Sequence, residues 1–371
     1  MNAPKIVRQN ENVRVVVRTP AELFEEGKDD KGKYVGGKWG GLYLRAPDIY
    51  FRILEKVGDK LVRLGDVADV RRGFTTGAND FFYLEVLPYL PVCPLCGVVH
   101  EDALTKEEER RYWLSDGELP QGSLVAVGSK LGWEGYLESS ALALLLRSPT
   151  EIRSWKVEPQ DLALRVFLPS DLTRHAAAYV KFGQEVEIVV GQGANKGQRI
   201  VGIHLLRTLK NRNPWWRLPT PMQPPNLVCM MSYNDRFGFF LNTDAFVDNR
   251  LYTIKPNEPT NLKAFFYALN WPFTFLQQEL LGRSNLGEGA LDLKVYEVEQ
   301  LLIPHPNLIK EQLNSAQNFN SVGLDDLQES FEAVVVNILG INAEEINLLK
   351  RAFEQLKSDR KERAKSQVGV R

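Results

Sequence analysis

Residues 71–84, RRGFTTGANDFFYL, decide the fold class because a glycine-containing turn is followed directly by a short apolar run. Similar runs recur from Leu61 to about His305, separated by Gly, Pro, Asn and Asp. They are LVRL, SLVAVG, IRSW, RVFL, VEIVV, NLVCMM, FGFFL and RLYTI. Short apolar runs bounded by turn residues are typical of β-strands. Helical patterns interrupt them near 139–147, near 171–181 and at 261–281, where Pro272 is expected to kink the helix.

The sequence therefore predicts an α+β fold, an irregular mixed α/β domain with short strands followed by C-terminal helices. We expect three segments. Residues 1–60 form a connector with a strand at 13–18 and a helix that begins at Pro47. Residues 61–306 form the main domain, with a small cysteine-bearing insertion near 88–120. Residues 307–371 form a helical segment whose basic end, from 357 onwards, is expected to fray.

The composition is that of an ordinary globular protein. The chain has 371 residues, of which 44% are apolar and 25% charged, and its net charge is −1. Disorder is therefore not expected, and a polyanionic partner is neither required nor excluded. Three cysteines are too few for a disulfide framework. With no apolar signal segment at the start and no run of membrane-spanning length, we expect a cytoplasmic protein without a membrane partner.

Residues 188–234 contain no Asp or Glu, although acids are spread over the rest of the chain. The fixed positive charges inside this stretch are Lys196, Arg199, Arg207, Lys210, Arg212 and Arg217. Trp215 and Trp216 lie beside the last two. Guanidinium groups match phosphate oxygens and guanine edges, and indole rings stack on bases. The six cations and Trp215 are therefore candidate DNA contacts. The alternative is a solvated basic face around a buried tryptophan pair.

The turn at 71–80 is a second candidate for DNA contact. Its glycines expose backbone N–H groups, and its polar side chains can reach a phosphate backbone or a base edge. The candidate residues are Arg71, Arg72, Thr75, Thr76 and Asn79. Taken alone, a tight hairpin turn is the preferred interpretation of this segment.

Cys93-Pro94-Leu95-Cys96-Gly97 with His100 has the form of half a zinc site. Zinc requires four ligands, and the chain has no second CxxC pair. Cys229 would complete the site only if the fold brought it close. A reduced cysteine pair in a surface insertion is the preferred interpretation, and a metal site at Cys93, Cys96 and His100 is the alternative.

Other motifs of enzyme sites are absent. The glycine-rich loop at 191–197 does not have the spacing of a dinucleotide or P-loop fingerprint. The sequence contains no HExxH and no GxSxG. A metal-dependent nuclease site combines acidic residues with a lysine. The spacing of Asp171, Glu185 and Glu187 is only roughly that of such a site, and the lysine is missing.

The sequence contains, in this order, KWGG (38–41), LRAP (44–47), RRGFTTGANDFFYL (71–84), WEGYLE (133–138), RSP (147–149), EIR (151–153), the segment 212–219, and DNRLY (248–252). Taken together, these motifs resemble the specificity region of large adenine-specific DNA methyltransferases of restriction–modification systems. The segments GRS (282–284), LGEGAL (286–291) and LIP (302–304) resemble the end of a TaqI-like recognition domain. The resemblance covers about 35–306.

This resemblance implies that 61–306 is a DNA target-recognition domain that binds double-stranded DNA. It adds Arg283 and Ser284 to the candidate DNA contacts. In the family, a separate catalytic domain methylates the N6 atom of a flipped adenine. That domain needs an (Asn/Asp/Ser)-Pro-Pro-aromatic tetrapeptide and an FxGxG loop for S-adenosylmethionine. Here the only Pro-Pro pair is in QPPN (223–226), and FxGxG is absent.

We therefore expect no cofactor and no catalysis from this chain alone, with S-adenosylmethionine on a catalytic methyltransferase subunit or domain. The chain is then either a stand-alone specificity subunit or the C-terminal part of a split methyltransferase. Two alternatives stay open. One is a complete methyltransferase or restriction enzyme with unrecognised catalytic motifs, and the other is an adaptor that does not bind DNA.

Overall fold

The computed structural model describes residues 5–9, 14–28, 32–34, 43, 45–191, 196–219, 223–242, 244–258, 262–284, 289–315 and 334–368. The strands are β1 Lys5–Gln9, β2 Arg14–Val17, β3 Leu61–Arg63, β4 Ala68–Arg72, β5 Tyr83–Val86, β6 Leu124–Ser129, β7 Glu134–Glu138, β8 Leu142–Leu146, β9 Leu164–Phe167, β10 Glu187–Val189, β11 Arg199–Val201, β12 Leu227–Met230, β13 Ser232–Tyr233, β14 Phe239–Leu241, β15 Phe246–Val247, β16 Leu251–Pro256, β17 Leu291–Asp292 and β18 Leu302–Pro304. The helices are α1 Pro20–Glu26, α2 Asp48–Val57, α3 Leu64–Val67, α4 Asn79–Phe82, α5 Lys106–Ser115, α6 Arg174–Glu185, α7 Leu262–Leu269, α8 Pro272–Leu281, α9 Val295–Glu299, α10 Pro306–Ser315 and α11 Ala343–Val368.

The predicted α+β class is confirmed, since short strands in several small sheets alternate with helices. The chain divides into two compact units, each built from separated segments. Unit 1 comprises Met1–Arg71, Asn226–Leu241 and Tyr252–Arg371, and unit 2 comprises Arg72–Pro225 and Asn242–Leu251. The division at residues 60 and 306 stays a prediction.

Unit 1 contains a four-stranded sheet with the order β14-β12-β16-β4 and a pair of buried helices, α7 and α8. Pro272 does not kink one long helix. It is the first residue of α8, after the N-cap Trp271, a position where the missing proline N–H costs nothing. The amide of Asn270, between the two helices, holds the backbone N–H and C=O of Phe239 at 2.9 Å each.

The C-terminal helix α11 packs on its own unit. A capping box precedes it, because the Asn342 side chain accepts from the Glu345 N–H while Glu345 accepts from the Asn342 N–H, both at 2.8 Å. Phe353 contacts the rings of Phe237 and Phe275. The expectation of a frayed basic end is wrong, because α11 continues to Val368. Arg360 anchors it: it is 2% exposed and donates to buried Glu279 at 2.9 Å.

Unit 2 is built on a six-stranded sheet with the order β15-β8-β9-β5-β6-β7. All neighbours are antiparallel except β15 and β8. The predicted helix near 171–181 is confirmed as α6, whose Tyr179 packs in the core against Phe81 and Phe167. Two expectations are wrong. The helix near 139–147 is strand β8 after one short 3₁₀ turn, and IRSW (152–155) is not a strand.

Within the described ranges, no helix is long and apolar enough to cross a membrane.

Candidate nucleic-acid interface

The turn at 72–80 is held tightly inside unit 2. Gly73 N–H donates to Leu251 C=O at 3.0 Å, and Phe74 N–H donates to Val247 C=O at 2.9 Å. A Cβ at Gly73 would overlap the carbonyl oxygens of Val247 and Asp248, so only glycine fits there. Two segments that carry the family resemblance, 71–84 and 248–252, therefore meet through their backbones.

Buried Asp248 fixes the second of these segments. Its carboxylate accepts from the Tyr83 hydroxyl at 2.6 Å and from the Arg250 N–H at 3.0 Å. Burial, followed by the bond to Asp248, raises the pKa of Tyr83 well above its usual value, so the hydroxyl stays protonated and donates.

Hydrogen bonds join the turn to the acid-free stretch. The Thr208 hydroxyl donates to Gly77 C=O at 2.7 Å, and the Arg212 guanidinium donates to Thr76 C=O at 3.1 Å. Gly77 has a φ of 83°, which a residue with a side chain rarely adopts. The parts of the two predicted DNA-binding segments that belong to unit 2, 72–80 and 196–217, are thus brought together.

Three of the predicted contact residues have mainly structural positions. Thr76 is fully buried and its hydroxyl bonds to Asn79 and to the Ala78 N–H. Arg212 lies over the Phe82 ring with its guanidinium carbon 6.0 Å from the centroid, and burial lowers its pKa. Trp215 is 9% exposed and packs 5.2 Å from the Phe81 ring, so its face is not available for stacking on a base.

Trp216, beside Trp215, is only half-buried, and the Arg217 guanidinium carbon lies 5.4 Å from its ring centroid. Sequence reasoning could not separate the two indoles, because adjacent positions in an irregular loop have no periodicity. Trp216, rather than Trp215, is the aromatic group that reaches the surface.

Arg207, Lys210 and Arg217 are exposed, and no acidic residue of the described chain pairs with any of them. We call these three residues the basic surface. Arg217 also donates to Ser170 C=O at 3.2 Å, which orients it. Arg72, Thr75 and Lys196 are likewise exposed, without an acidic partner in the described ranges.

The other predicted cations are paired with acids of their own unit. Arg199 pairs with Glu187 at 3.0 Å across β10 and β11. In unit 1, Arg71 pairs with Asp69 at 2.8 Å and Arg283 with Glu297 at 2.9 Å. Ser284 is exposed. Exposed pairs such as Arg199–Glu187 contribute at most about 1 kcal/mol and can exchange partners, whereas Glu297 is buried and holds Arg283 more firmly.

A cleft of about 520 Å³ lies beside the basic surface. No Asp or Glu is among its lining residues. They include Lys181, His204, Lys210, Arg212, Asn213, Trp215 and Trp216. Three buried polar atoms of this lining have no hydrogen-bond partner in the described chain: His204 Nδ1, Arg212 Nη1 and Trp215 Nε1. We call this depression the basic cleft, and its unpartnered atoms include two N–H donors that suit an acceptor-rich ligand.

A larger groove of about 930 Å³ lies between the turn at 77–81 and the β10–β11 hairpin. Arg207 and Lys130 line it, but so do Asp80 and Glu187. The hairpin carries large exposed apolar side chains, Val189 and Val201, at 60% and 58% exposure. A two-stranded ribbon of this kind is narrow enough to enter the major groove of DNA.

The predicted metal ligands Cys93, Cys96 and His100 do cluster, and His175 joins them from α6. The ligand-type atoms of Cys93, His100 and His175 all lie within 4.8 Å of one another. Sequence reasoning missed His175 because it is far from the CPLCG turn along the chain. Cys229 belongs to unit 1, where burial raises its thiol pKa to about 12.

Pro224-Pro225, the only Pro-Pro pair of the sequence, makes a backbone contact within unit 2. Pro225 C=O accepts from the Asn242 amide at 2.6 Å.

Residues 195–336 match the family model of the C-terminal domain of Type II methyltransferase M.Eco57I. This part of the chain is therefore similar to a domain of a restriction–modification methyltransferase. No curated protein matches the chain.

Among solved structures, the type IIG restriction endonuclease BpuSI matches with a TM-score of 0.44 and 15% sequence identity. The match covers 88% of this chain and 34% of that enzyme, so the chain spans about a third of the length of BpuSI.

Proposed function

We propose that this chain binds double-stranded DNA and supplies target recognition to an adenine-specific (N6) methyltransferase of a restriction–modification system. It would act as a specificity subunit or as the C-terminal part of a split enzyme, in the cytoplasm. Similarity to a methyltransferase C-terminal domain at 195–336 supports the type of system. The TaqI-like motif order supports recognition as the role within it.

One observation carries the DNA-binding part of this proposal. The turn at 72–80 and the segment 203–217 are joined by hydrogen bonds. The second segment carries the exposed cations Arg207, Lys210 and Arg217, which have no acidic partner in the described chain. Three exposed cations that pair with no acid of the described chain are available for phosphate oxygens. The basic cleft adds two N–H donors that lack acceptors.

How firmly each exposed side chain is held indicates whether it would contact a base or a phosphate. Arg217 is oriented by Ser170 and Trp216, and a preorganised guanidinium suits a bidentate contact to guanine. Lys210 has no such support among the described residues and suits a phosphate contact. The β10–β11 hairpin would enter the groove beside them.

Selection from a pool of random-sequence duplexes tests this proposal. The full chain should recover duplexes that share one short sequence. A variant with Arg207, Lys210 and Arg217 all changed to Gln should recover far less DNA. Arg111→Gln, an exposed arginine of α5 paired with Glu107, is the matched control and should behave as the unchanged chain. Failure to recover any duplex at low salt would contradict DNA binding, and recovery without sequence enrichment would contradict target recognition.

Calorimetry with S-adenosylmethionine separates the subunit from a complete enzyme. We expect no saturable binding to the chain alone and methylation only after a catalytic methyltransferase subunit is added. Saturable binding by the chain alone would favour the complete-enzyme alternative instead.

A further inference from the structure

Two thiols and two imidazoles of unit 2 lie near one another, at the CPLCG turn and the start of α6. Cys93 Sγ and one ring nitrogen each of His100 and His175 lie within 4.8 Å of one another. Cys96 Sγ is 3.3 Å from His100 Nε2. In a tetrahedral zinc site with bonds of about 2.0–2.3 Å, ligand atoms are roughly 3.3–3.8 Å apart. Small side-chain adjustments would bring the four groups to this geometry.

The CPLCG turn presents the two thiols from a fixed backbone. Gly97, with a φ of 74°, donates its N–H to Cys93 C=O at 2.9 Å, and Cys93 N–H donates to Val98 C=O at 2.8 Å. These backbone hydrogen bonds fix the loop from which both thiols are presented.

His175 is oriented as a metal ligand would be. Its Nδ1 is 2.9 Å from Glu138 Oε1, and the same oxygen accepts the His175 backbone N–H at 3.0 Å. Donation from Nδ1 fixes the tautomer and leaves the Nε2 lone pair for a metal ion. The other carboxylate oxygen of Glu138 accepts from the Thr173 hydroxyl at 2.5 Å and from the Ala176 N–H at 3.3 Å, so the acceptor of His175 is itself held in place.

The buried Tyr136 positions the remaining imidazole. The ring of His100 contacts that of Tyr136 edge to face, with centroids 4.7 Å apart, and its backbone N–H donates to the Tyr136 hydroxyl at 3.3 Å. Tyr136 in turn donates to Pro91 C=O at 2.6 Å. Cys93, only 1% exposed, packs in the same small apolar cluster as Tyr136.

We propose that Cys93, Cys96, His100 and His175 bind one structural zinc ion, with Glu138 as a positioning residue for His175. Four protein ligands leave no open position, so the ion would have a structural and not a hydrolytic role. It would tie the CPLCG turn to the first turn of α6. The site does not depend on DNA binding, so the two proposals stand or fall separately.

Metal analysis of the purified full chain tests the site. We expect one zinc ion per chain. After exchange with Co²⁺ alone, the chain should give intense tetrahedral d–d absorption and a thiolate-to-cobalt charge-transfer band. Cys96→Ser and His175→Gln should each lose stoichiometric zinc. The controls Cys229→Ala and His305→Gln, a cysteine and a histidine outside the cluster, should keep it.

A second variant distinguishes positioning from ligation. Glu138→Gln should keep the tetrahedral cobalt spectrum but weaken zinc affinity by about 10–100-fold. The cobalt spectrum of the unchanged chain is independent of any folding defect in the variants. A chain that binds no stoichiometric zinc or cobalt under reducing conditions would overturn the proposal. So would a reversible Cys93–Cys96 disulfide in place of metal binding, or zinc retained by both ligand variants.

Discussion

Unit 2 contains cationic side chains in two different environments, its interior and the basic surface. In the interior, Arg165 is 4% exposed and makes a bidentate pair with Glu109, at 2.8 and 2.7 Å. On the basic surface, Arg207, Lys210 and Arg217 are exposed, and no acid of the described chain pairs with them. Removing one partner of a buried ion pair leaves an uncompensated buried charge and destabilises the fold. Exposed cations that pair with no acid contribute little to stability. The comparison separates cations that hold the protein together from cations available to a polyanion.

The largest effect is expected at the interior pair. Arg165→Met leaves the Glu109 carboxylate buried without its partner and should lower the free energy of unfolding by about 3–5 kcal/mol. Urea denaturation measures this loss. Adding Glu109→Leu should recover much of it, because no unpaired charge then remains. An Arg165→Met variant as stable as the unchanged chain would mean that interior and surface arginines are equivalent.

The neighbouring indoles should show the same contrast between interior and surface. Trp215 should contribute mainly to stability, and Trp216 mainly to DNA binding. Trp215→Ala should lower the free energy of unfolding by about 3–5 kcal/mol, since it empties a core position beside Phe81. Trp216→Ala should cost less stability and weaken duplex affinity, because this indole supports Arg217 at the surface. Thermal unfolding and fluorescence anisotropy with a random duplex provide the two measurements. Equal stability losses would contradict the assignment of Trp215 to the core.

Within the basic surface, a residue that contacts a base and one that contacts a phosphate should affect sequence specificity differently. Arg217→Gln should cost about 1–3 kcal/mol of affinity for the selected sequence and relax its specificity. Lys210→Gln should weaken all duplexes alike. Competition between the selected duplex and a scrambled one gives both numbers. Identical sequence preference in the two variants would remove the division proposed between them.

The sequence predicted the class of fold and two of the surface segments, but not their partners. Helix and strand could not be distinguished for LALLL (142–146), because a short apolar run fits both, and its place between β9 and β15 decides for a strand. The basic stretch was visible because acids are absent from it. Long-range packing brings Arg283 to Glu297 and His175 to Cys93. The spacing of these residues along the chain does not predict such contacts.

The smallest effect concerns an ion pair of unit 1 and its dependence on pH. Burial raises the pKa of Glu345, but the Lys56 ammonium, at 2.7 Å, and the Asn342 backbone outweigh it and lower that pKa overall. The stabilisation is therefore present above the unfolded-state pKa of about 4.3 and is lost as the pH falls through the lower folded-state value. Glu345→Gln should lose about 1 kcal/mol or less at neutral pH and show a flatter acid dependence. Parallel pH profiles for both chains would contradict this assignment.

The salt dependence of duplex binding tests the central claim most directly. Each phosphate contact contributes about −0.9 to the slope of log K against log salt concentration. The variant with Arg207, Lys210 and Arg217 all changed to Gln should therefore have a slope shallower by up to about 2.7, whereas Arg111→Gln should keep the slope of the unchanged chain. A flat line for the unchanged chain, or the same slope for all three proteins, would contradict the account.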